Sequence, residues 1–206
     1  MEWWSIVVSV ITAATAIIAI IISAKQIRVS NRQFLFEKRV RIILLIEDLI
    51  ALFKSASSSI DTTERDEPAY TSDLAFVYLT NTSYLQEMAN AIKRPLKDHE
   101  NHVKLLSKFE ELRRTASECS YVFSKKKWAC LSLFINQYVD FLSAIYQYRI
   151  CIDGDENKNS HRNINDDPME KGIRHKYYNS YDILKRTYNS IINDGVLFDA
   201  KKQVKL

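Results

Sequence analysis

The sequence predicts an all-α membrane protein, in which a single N-terminal transmembrane helix continues into a cytoplasmic bundle of four to five helices. Three observations support this fold class. The 206 residues include only three glycines and three prolines, far below the average shares of about 7% and 5%. The segment from Trp3 to Ala24 carries no charged side chain. The rest of the chain has its apolar residues at helical spacing rather than in alternation.

The uncharged segment from Trp3 to Ala24 is long enough to cross a bilayer, because about 20 helical residues span a hydrocarbon core roughly 30 Å thick. A cleaved signal peptide is the alternative, but it would begin with basic residues and end in a small-residue cleavage site. Here Glu2 precedes the segment, and the isoleucines at 20–22 fill its end. We therefore expect a retained membrane anchor.

Basic residues lie on one flank of this anchor. Those that follow it are Lys25, Arg28, Arg32, Lys38, Arg39 and Arg41, whereas only Glu2 and the amino terminus precede it. Because Lys and Arg resist translocation, the N-terminus is predicted to lie outside the cytoplasmic membrane and the rest of the chain in the cytoplasm.

The same basic cluster predicts a contact with anionic lipids. Headgroups would bind Lys25, Arg28, Arg32, Lys38 and Arg39, since each cation near an anionic surface contributes about 1 kcal/mol. Ordinary charge flanking of a membrane span is the simpler interpretation, and it also accounts for the cluster.

Small and hydroxyl-bearing residues recur within the anchor at steps of four and three positions. They form a seam of Ser5, Ser9, Thr12, Ala16, Ala19 and Ser23, opposite a face of valines and isoleucines. Membrane helices associate where small residues let their backbones approach closely. The seam therefore predicts a homo-oligomer, and in a ring of helices it would line a narrow, weakly polar pore. A homodimer contact and a mere surplus of alanines are the alternatives.

We divide the chain into three parts. These are the transmembrane helix at 1–24, a basic juxtamembrane and central helix at 25–54, and the cytoplasmic helical bundle at 55–206. The stretch from Val40 to Phe53 is apolar on most of its circumference, which predicts a helix buried by its neighbours. Residues 55–68 are predicted to be the first loop. Further helices are predicted at about 72–92, 98–123, 125–152 and 168–193, the last starting at Pro168.

Few residues suggest chemistry. Cys119, Cys130 and Cys151 are odd in number and form no CxxC pair, so they are expected to be reduced, buried thiols. His99 and His102 are one helical turn apart, but a metal site would need further ligands, so we expect both to be solvated surface histidines. We predict no metal, no cofactor and no small-molecule substrate. We therefore expect a protein that is not an enzyme.

Two short segments point weakly to nucleic acid. The run Lys125 to Lys127, followed by Trp128, could contact a phosphate backbone, although a solvated helix start is commoner. The segment Arg94 to His99 matches the spacing of an arginine and a histidine in helical HEPN ribonuclease domains, but it has Pro95 where a polar residue is usual. In such a nuclease, two copies would bring these side chains together, with His99 as acid or base and Arg94 stabilising the phosphate.

The layout of the whole chain resembles the membrane-anchored accessory proteins of type VI-B CRISPR systems, the partners of the RNA-guided ribonuclease Cas13b. The residues that carry this resemblance are the span with its seam, the basic continuation, the glycine-poor bundle and the segment Arg94 to His99. The resemblance implies a HEPN-like bundle and an oligomeric pore that depolarises the cytoplasmic membrane in antiphage defence. It also implies a Cas13b-type effector or RNA as partner. A membrane-tethered HEPN-type ribonuclease and a scaffold that recruits a cytosolic partner remain alternatives.

Overall fold

A computed structural model describes residues 2–61, 69–93, 95–156 and 168–202, and none of these residues lies in a β-strand. The helices are α1 (Glu2–Asp61), α2 (Ala69–Leu79), α3 (His99–Val122), α4 (Ala129–Glu156), α5 (Pro168–Asn193) and α6 (Val196–Lys202), with two short 3₁₀ helices at Gln86–Met88 and Lys126–Trp128. The all-α fold class is confirmed.

The chain forms two compact units, and their boundary lies within α1. The first unit comprises residues 1–40, and the second comprises residues 41–206. The boundary falls inside the segment 25–54, to which the sequence assigned a basic juxtamembrane part and a central part.

The described part of the first unit is helical throughout, and its residues from 3 to 35 are exposed on every side. By length and composition this part of α1 can span a membrane. The segment Lys126–Asp153 passes the same test, but most of its apolar window is buried inside the second unit. Burial identifies that segment as a core helix, because its apolar face already has protein neighbours.

The second unit has the C-terminal third of α1 at its centre. Apolar side chains at helical spacing are buried there, as expected for the stretch from Val40 to Phe53. Phe53 is fully buried, and its ring lies 6.4 Å from Phe134, 5.9 Å from Tyr181 and 5.1 Å from Tyr188. Full burial of such a side chain contributes about 1.5–3 kcal/mol. α4 supplies the other large share of the core, and it packs most extensively against α5.

Helix α1 extends further than predicted, since residues 55–61 are helical rather than part of a loop. Ala56 and Ile60, one turn apart, are buried in the core. The hydroxyls of Ser57 and Ser58 donate to helix carbonyls three residues earlier at 3.0 Å each. Burial and these local hydrogen bonds outweigh the polar composition of the segment. The remainder of the predicted loop, 62–68, lies outside the described residues.

The predicted helix at 72–92 is wrong in its second half, because α2 ends at Leu79. The Leu79 carbonyl accepts a 2.7 Å hydrogen bond from the buried hydroxyl of Tyr138 on α4. Residues 81–83, Asn-Thr-Ser, then form a turn in which the Thr82 carbonyl accepts from the Leu85 and Gln86 amides. These residue types favour turns, because their side chains compete with helical hydrogen bonds.

The two predicted helix starts at 98 and 168 are correct. Asp98 caps α3 by accepting a 3.2 Å hydrogen bond from the Asn101 amide, and Pro168 is the first residue of α5. Two ends differ. α4 runs to Glu156, past the predicted end near 152, and residues 157–167 lie outside the described residues. After Gly195, whose φ is +61°, the chain forms α6, a helix that the sequence analysis did not predict.

Candidate functional site

The seam of small residues lies on the fully exposed part of α1. Its hydroxyls donate within their own helix, with Ser9 bonded to the Ser5 carbonyl at 2.8 Å and Thr12 to the Val8 carbonyl at 2.8 Å. Thr15, beside the seam, bonds the Ile11 carbonyl at 3.1 Å and was not among the predicted residues. The free energy of transferring a hydroxyl into an apolar medium is lower when the hydroxyl already donates a hydrogen bond than when it is unpaired. This face is therefore compatible with a lipid or helical environment.

The polar face of α1 continues beyond the predicted seam. Because the helix is unbroken through Val40, residues seven positions apart stay on one face. Ser5, Thr12 and Ala19 are followed in this register by Gln26 and Gln33. Ser9, Ala16 and Ser23 are followed by Ser30 and Glu37. The four added side chains are exposed. We call the row of Ser5, Ser9, Thr12, Ala16, Ala19, Ser23, Gln26, Ser30, Gln33 and Glu37 the polar row.

The cations of the juxtamembrane segment lie on the opposite side of the helix. Lys25 and Arg28 follow Ile18 and Ile21 by seven residues, and Arg32 follows Lys25 by the same interval. All three basic side chains are exposed. They therefore continue the face that carries the isoleucines. Because these side chains are exposed, their charged groups are accessible to lipid headgroups.

Two other basic residues fit a headgroup site less well. Arg39 is half-buried, although it continues the same register seven residues after Arg32. Lys38 is also half-buried, and its ammonium lies 5.8 Å from the centre of the Phe34 ring. Between Lys25 and Val40, the only acidic residue is Glu37, on the polar row. Charges of opposite sign are thus separated onto opposite faces of this helix.

Of the candidate pair Arg94 and His99, Arg94 lies outside the described residues. His99 is the first residue of α3 and is exposed. His102 is half-buried instead, with Nδ1 2.8 Å from the Tyr146 hydroxyl and the two rings 5.7 Å apart. Burial raises the pKa of Tyr146. The expectation of a solvated surface histidine is therefore wrong for His102, which packs against α4, whereas His99 is exposed as expected.

Comparisons of the chain with protein-family models, with curated proteins and with solved structures find no match. The site is consequently assigned from its own geometry.

Across the described ranges, no three His, Cys, Asp or Glu side chains are grouped so as to hold a metal ion. None of the three cysteines forms a disulfide. Cys119 is buried as expected, but Cys130 and Cys151 are only half-buried. Burial raises the pKa of Cys119 to about 12. Such a thiol stays protonated and unreactive at neutral pH.

A polar groove of about 430 Å³ lies between α4 and α5. Its two cations already have partners, Arg113 with Asp140 at 2.8 Å and Lys176 with the Gln147 amide oxygen at 2.8 Å. The groove therefore shows no unmatched charge that would select a ligand, and α1 carries the most distinctive arrangement of the chain.

Proposed function

We propose that this protein is anchored in the cytoplasmic membrane by α1 and assembles through the polar row into an oligomeric pore. The observation that carries this proposal is the polar row itself, which runs along one face from Ser5 to Glu37 opposite an apolar and then basic face. Each copy of α1 exposes bulky isoleucines that suit lipid tails and cations that suit headgroups. The remaining face is left for other copies of the chain.

In lipid there is no hydrophobic driving force between helices, so assembly through this face depends on other interactions. Close backbone contact and interhelical hydrogen bonds replace that force. Alanine and serine in the span permit close approach, and the hydroxyl oxygens of Ser9 and Thr12 can still accept hydrogen bonds. A ring of such helices would have a narrow lumen of hydroxyls and methyl groups, followed by amides and carboxylates.

We further propose an orientation in which the N-terminus is outside and the bundle is cytoplasmic, because Lys25, Arg28 and Arg32 follow the span. Tags at both ends, tested with protease in intact spheroplasts, decide this point. Digestion of the N-terminal tag and protection of the C-terminal tag are expected. The reverse pattern would overturn the orientation.

The biological setting we propose is antiphage defence, in which the pore depolarises the infected cell without a catalytic step. Support comes from the resemblance of the layout to type VI-B accessory proteins and their HEPN-like bundles. In that setting a Cas13b-type effector or RNA would act on the cytoplasmic bundle.

The direct test is ion flux through purified protein in liposomes. Wild-type protein should collapse a potassium diffusion potential, as read by a potential-sensitive dye. Expression in cells should likewise lower the membrane potential. Protein that forms oligomers in the bilayer but passes no ions in either assay would contradict the pore and favour a scaffold that recruits a cytosolic partner.

A further inference from the structure

Helix α6 brings two separate groups of lysines together on the surface of the second unit. Lys127 precedes α4, and its ammonium lies 2.9 Å from the Asp199 carboxylate on α6. Lys202 reaches the other oxygen of the same carboxylate at 3.8 Å. Lys125 and Lys126 are exposed beside Lys127. Residues more than 70 positions apart in the chain therefore form one basic surface.

The local fold holds this basic surface in place. Trp128 is buried, its ring meets Phe123 edge to face at a centroid distance of 5.7 Å, and the ammonium groups of Lys125 and Lys127 lie 5.2 and 5.5 Å from its centre. On α6, the buried residues Val196 and Ala200 fix the orientation of the helix. The lysines thus project from an ordered base.

Charge on this surface is not balanced. Asp199 is the shared partner of Lys127 and Lys202, and the hydrogen bond from Lys127 holds the pKa of that carboxyl below its usual value. Asp194 also lies near Cys130, one turn after Lys127. Among the described residues, the four ammonium groups of Lys125, Lys126, Lys127 and Lys202 still outnumber these two carboxylates. An excess of positive charge remains for an outside anion.

An exposed aromatic ring lies within the same cluster. Phe198 is 63% exposed, and the Lys202 ammonium lies 4.3 Å from the centre of its ring. Tyr121, in the last turn of α3 just before the lysine run, is 84% exposed. Exposed aromatic rings flanked by cations are typical of surfaces on which unpaired bases stack while lysines contact phosphates.

We infer that this lysine–aromatic surface, formed by Lys125, Lys126, Lys127, Phe198 and Lys202, binds single-stranded nucleic acid. The stacking ring favours single strands over a duplex, whose bases are already stacked. The surface contains lysines rather than the planar forks of arginine that read base edges, so binding is tolerant of sequence. This inference is independent of the pore, since its residues all belong to the second unit and its test measures no ion flux.

The experiment uses the full-length protein in nanodiscs of phosphatidylcholine, which offer no competing anionic lipid. Binding of a fluorescent 20-nucleotide oligouridine is followed by anisotropy across a series of salt concentrations. Wild-type affinity should fall steeply as salt rises, because bound phosphates release counterions. Lys126→Gln and Lys202→Gln should each lower the slope of log affinity against log salt by about 0.7.

Phe198→Ala gives a second, different signature. Loss of a stacking ring should weaken binding by roughly 5- to 160-fold while leaving the salt slope unchanged. Because Phe198 is mostly exposed, this variant should fold normally, and circular dichroism checks that it does. A loss of affinity at an unchanged salt slope indicates that the ring contributes by stacking and not through charge. A surface that bound only through its cations would not show this result.

Lys93→Gln and Lys97→Gln serve as matched controls with the same loss of charge. Both lysines are exposed and precede α3, whose 24 residues span about 36 Å before the lysine run begins. They should leave affinity and salt slope unchanged. Equal losses in control and surface variants would overturn the inference. It would also be overturned if wild-type protein ignored the oligouridine but bound phosphatidylglycerol vesicles through these lysines, which would make the surface a membrane contact.

Discussion

The hydroxyl of Tyr181 on α5 donates a 2.7 Å hydrogen bond to the carboxylate of Asp61, the last residue of α1. One turn further along α5, Lys185 binds the same carboxylate at 2.6 Å. Tyr181 is buried, and burial together with the hydrogen bond to Asp61 raises its pKa. These two contacts attach the end of the central helix to its neighbour.

Tyr181→Phe should lower the free energy of unfolding by about 1.5 kcal/mol, near the lower end of the range for hydrogen bonds to charged groups, because Asp61 is partly exposed. Urea unfolding of the detergent-solubilised protein, followed by circular dichroism, measures this change. Tyr121→Phe removes a hydroxyl from an exposed ring and should have no effect. A similar loss in both variants would contradict the role assigned to the contact with Asp61.

Added bulk on the polar row should disrupt assembly. Association there depends on close backbone approach, and each interhelical hydrogen bond contributes only about 0.6 kcal/mol on average. The double variant Ala16→Leu with Ala19→Leu should therefore dissociate the oligomer or occlude its lumen. Particle size in nanodiscs and depolarisation of cells report the two outcomes.

The matched control for that variant lies on the valine and isoleucine face of the same helix. Val10→Leu with Ile18→Leu changes side chains that face away from the polar row, and it should assemble and depolarise like wild type. If the seam variant matched wild type in both assays, the polar row would lose its assigned role.

Glu37 should determine which ions pass. In a ring built on the polar row, the Glu37 carboxylates of all copies lie at one level, and such acidic rings favour cations. Glu37→Lys should shift the reversal potential in a potassium chloride gradient toward that of an anion-selective pore. Glu110→Lys makes the same charge change at an exposed position of α3 and should leave the reversal potential alone. An unchanged reversal potential in Glu37→Lys would remove this residue from the ion pathway.

His99→Ala should leave membrane depolarisation intact, because the side chain is exposed and the proposed activity contains no proton transfer. His102→Ala should instead lower the free energy of unfolding by about 1 kcal/mol through loss of the 2.8 Å contact with Tyr146. Normal oligomers of His99→Ala without depolarisation, together with RNA cleavage by wild-type protein alone, would support the ribonuclease alternative.

Cys119 should resist thiol reagents in the folded protein. Its pKa of about 12 in the folded state lies above the ordinary thiol value, so almost no thiolate is present at pH 8, and the side chain is buried. Cys119→Ala should thus titrate the same number of thiols as wild type when folded, and one fewer when unfolded in urea. One fewer reactive thiol in the folded variant would contradict this assignment.

Local signals allowed several elements to be predicted from the sequence. The start of α3 at Asp98 and that of α5 at Pro168 depend on a capping carboxylate and on a proline at the first helical position, and both act within one turn. The buried central part of α1 was likewise visible as a continuous apolar stretch. In each case the interaction that forms the element joins residues within one helical turn, or it involves apolar residues that repeat at the helical period.

Other elements could not be predicted, because distant residues determine them. The end of α2 at Leu79 combines the local Asn-Thr-Ser turn with a hydrogen bond from the Tyr138 hydroxyl, and only the turn is visible in the nearby sequence. The extension of α1 to Asp61 depends on burial of Ala56 and Ile60 by the rest of the bundle. α6 is only seven residues long, and its helical pattern is too short to separate from a loop.

The candidate site was predicted in part. The seam from Ser5 to Ser23 could be read from its spacing. Its continuation to Glu37 is less apparent from the sequence, because basic residues lie between the positions of the seven-residue register. The sequence already predicts that the transmembrane helix continues past Ala24, and α1 is continuous through Val40, so the register holds along this segment.

The ring contacts of Phe53 have a consequence for biosynthesis. Its partners Phe134 and Tyr188 are translated well after it, and the later one follows after about 7–27 s at roughly 5–20 residues per second. During that interval the anchor has already left the ribosome and can enter the translocon, while the apolar stretch behind it has no partners. In the proposed membrane topology, insertion of α1 would therefore precede folding of the bundle, and Phe53 would lack its ring partners until Tyr188 emerges.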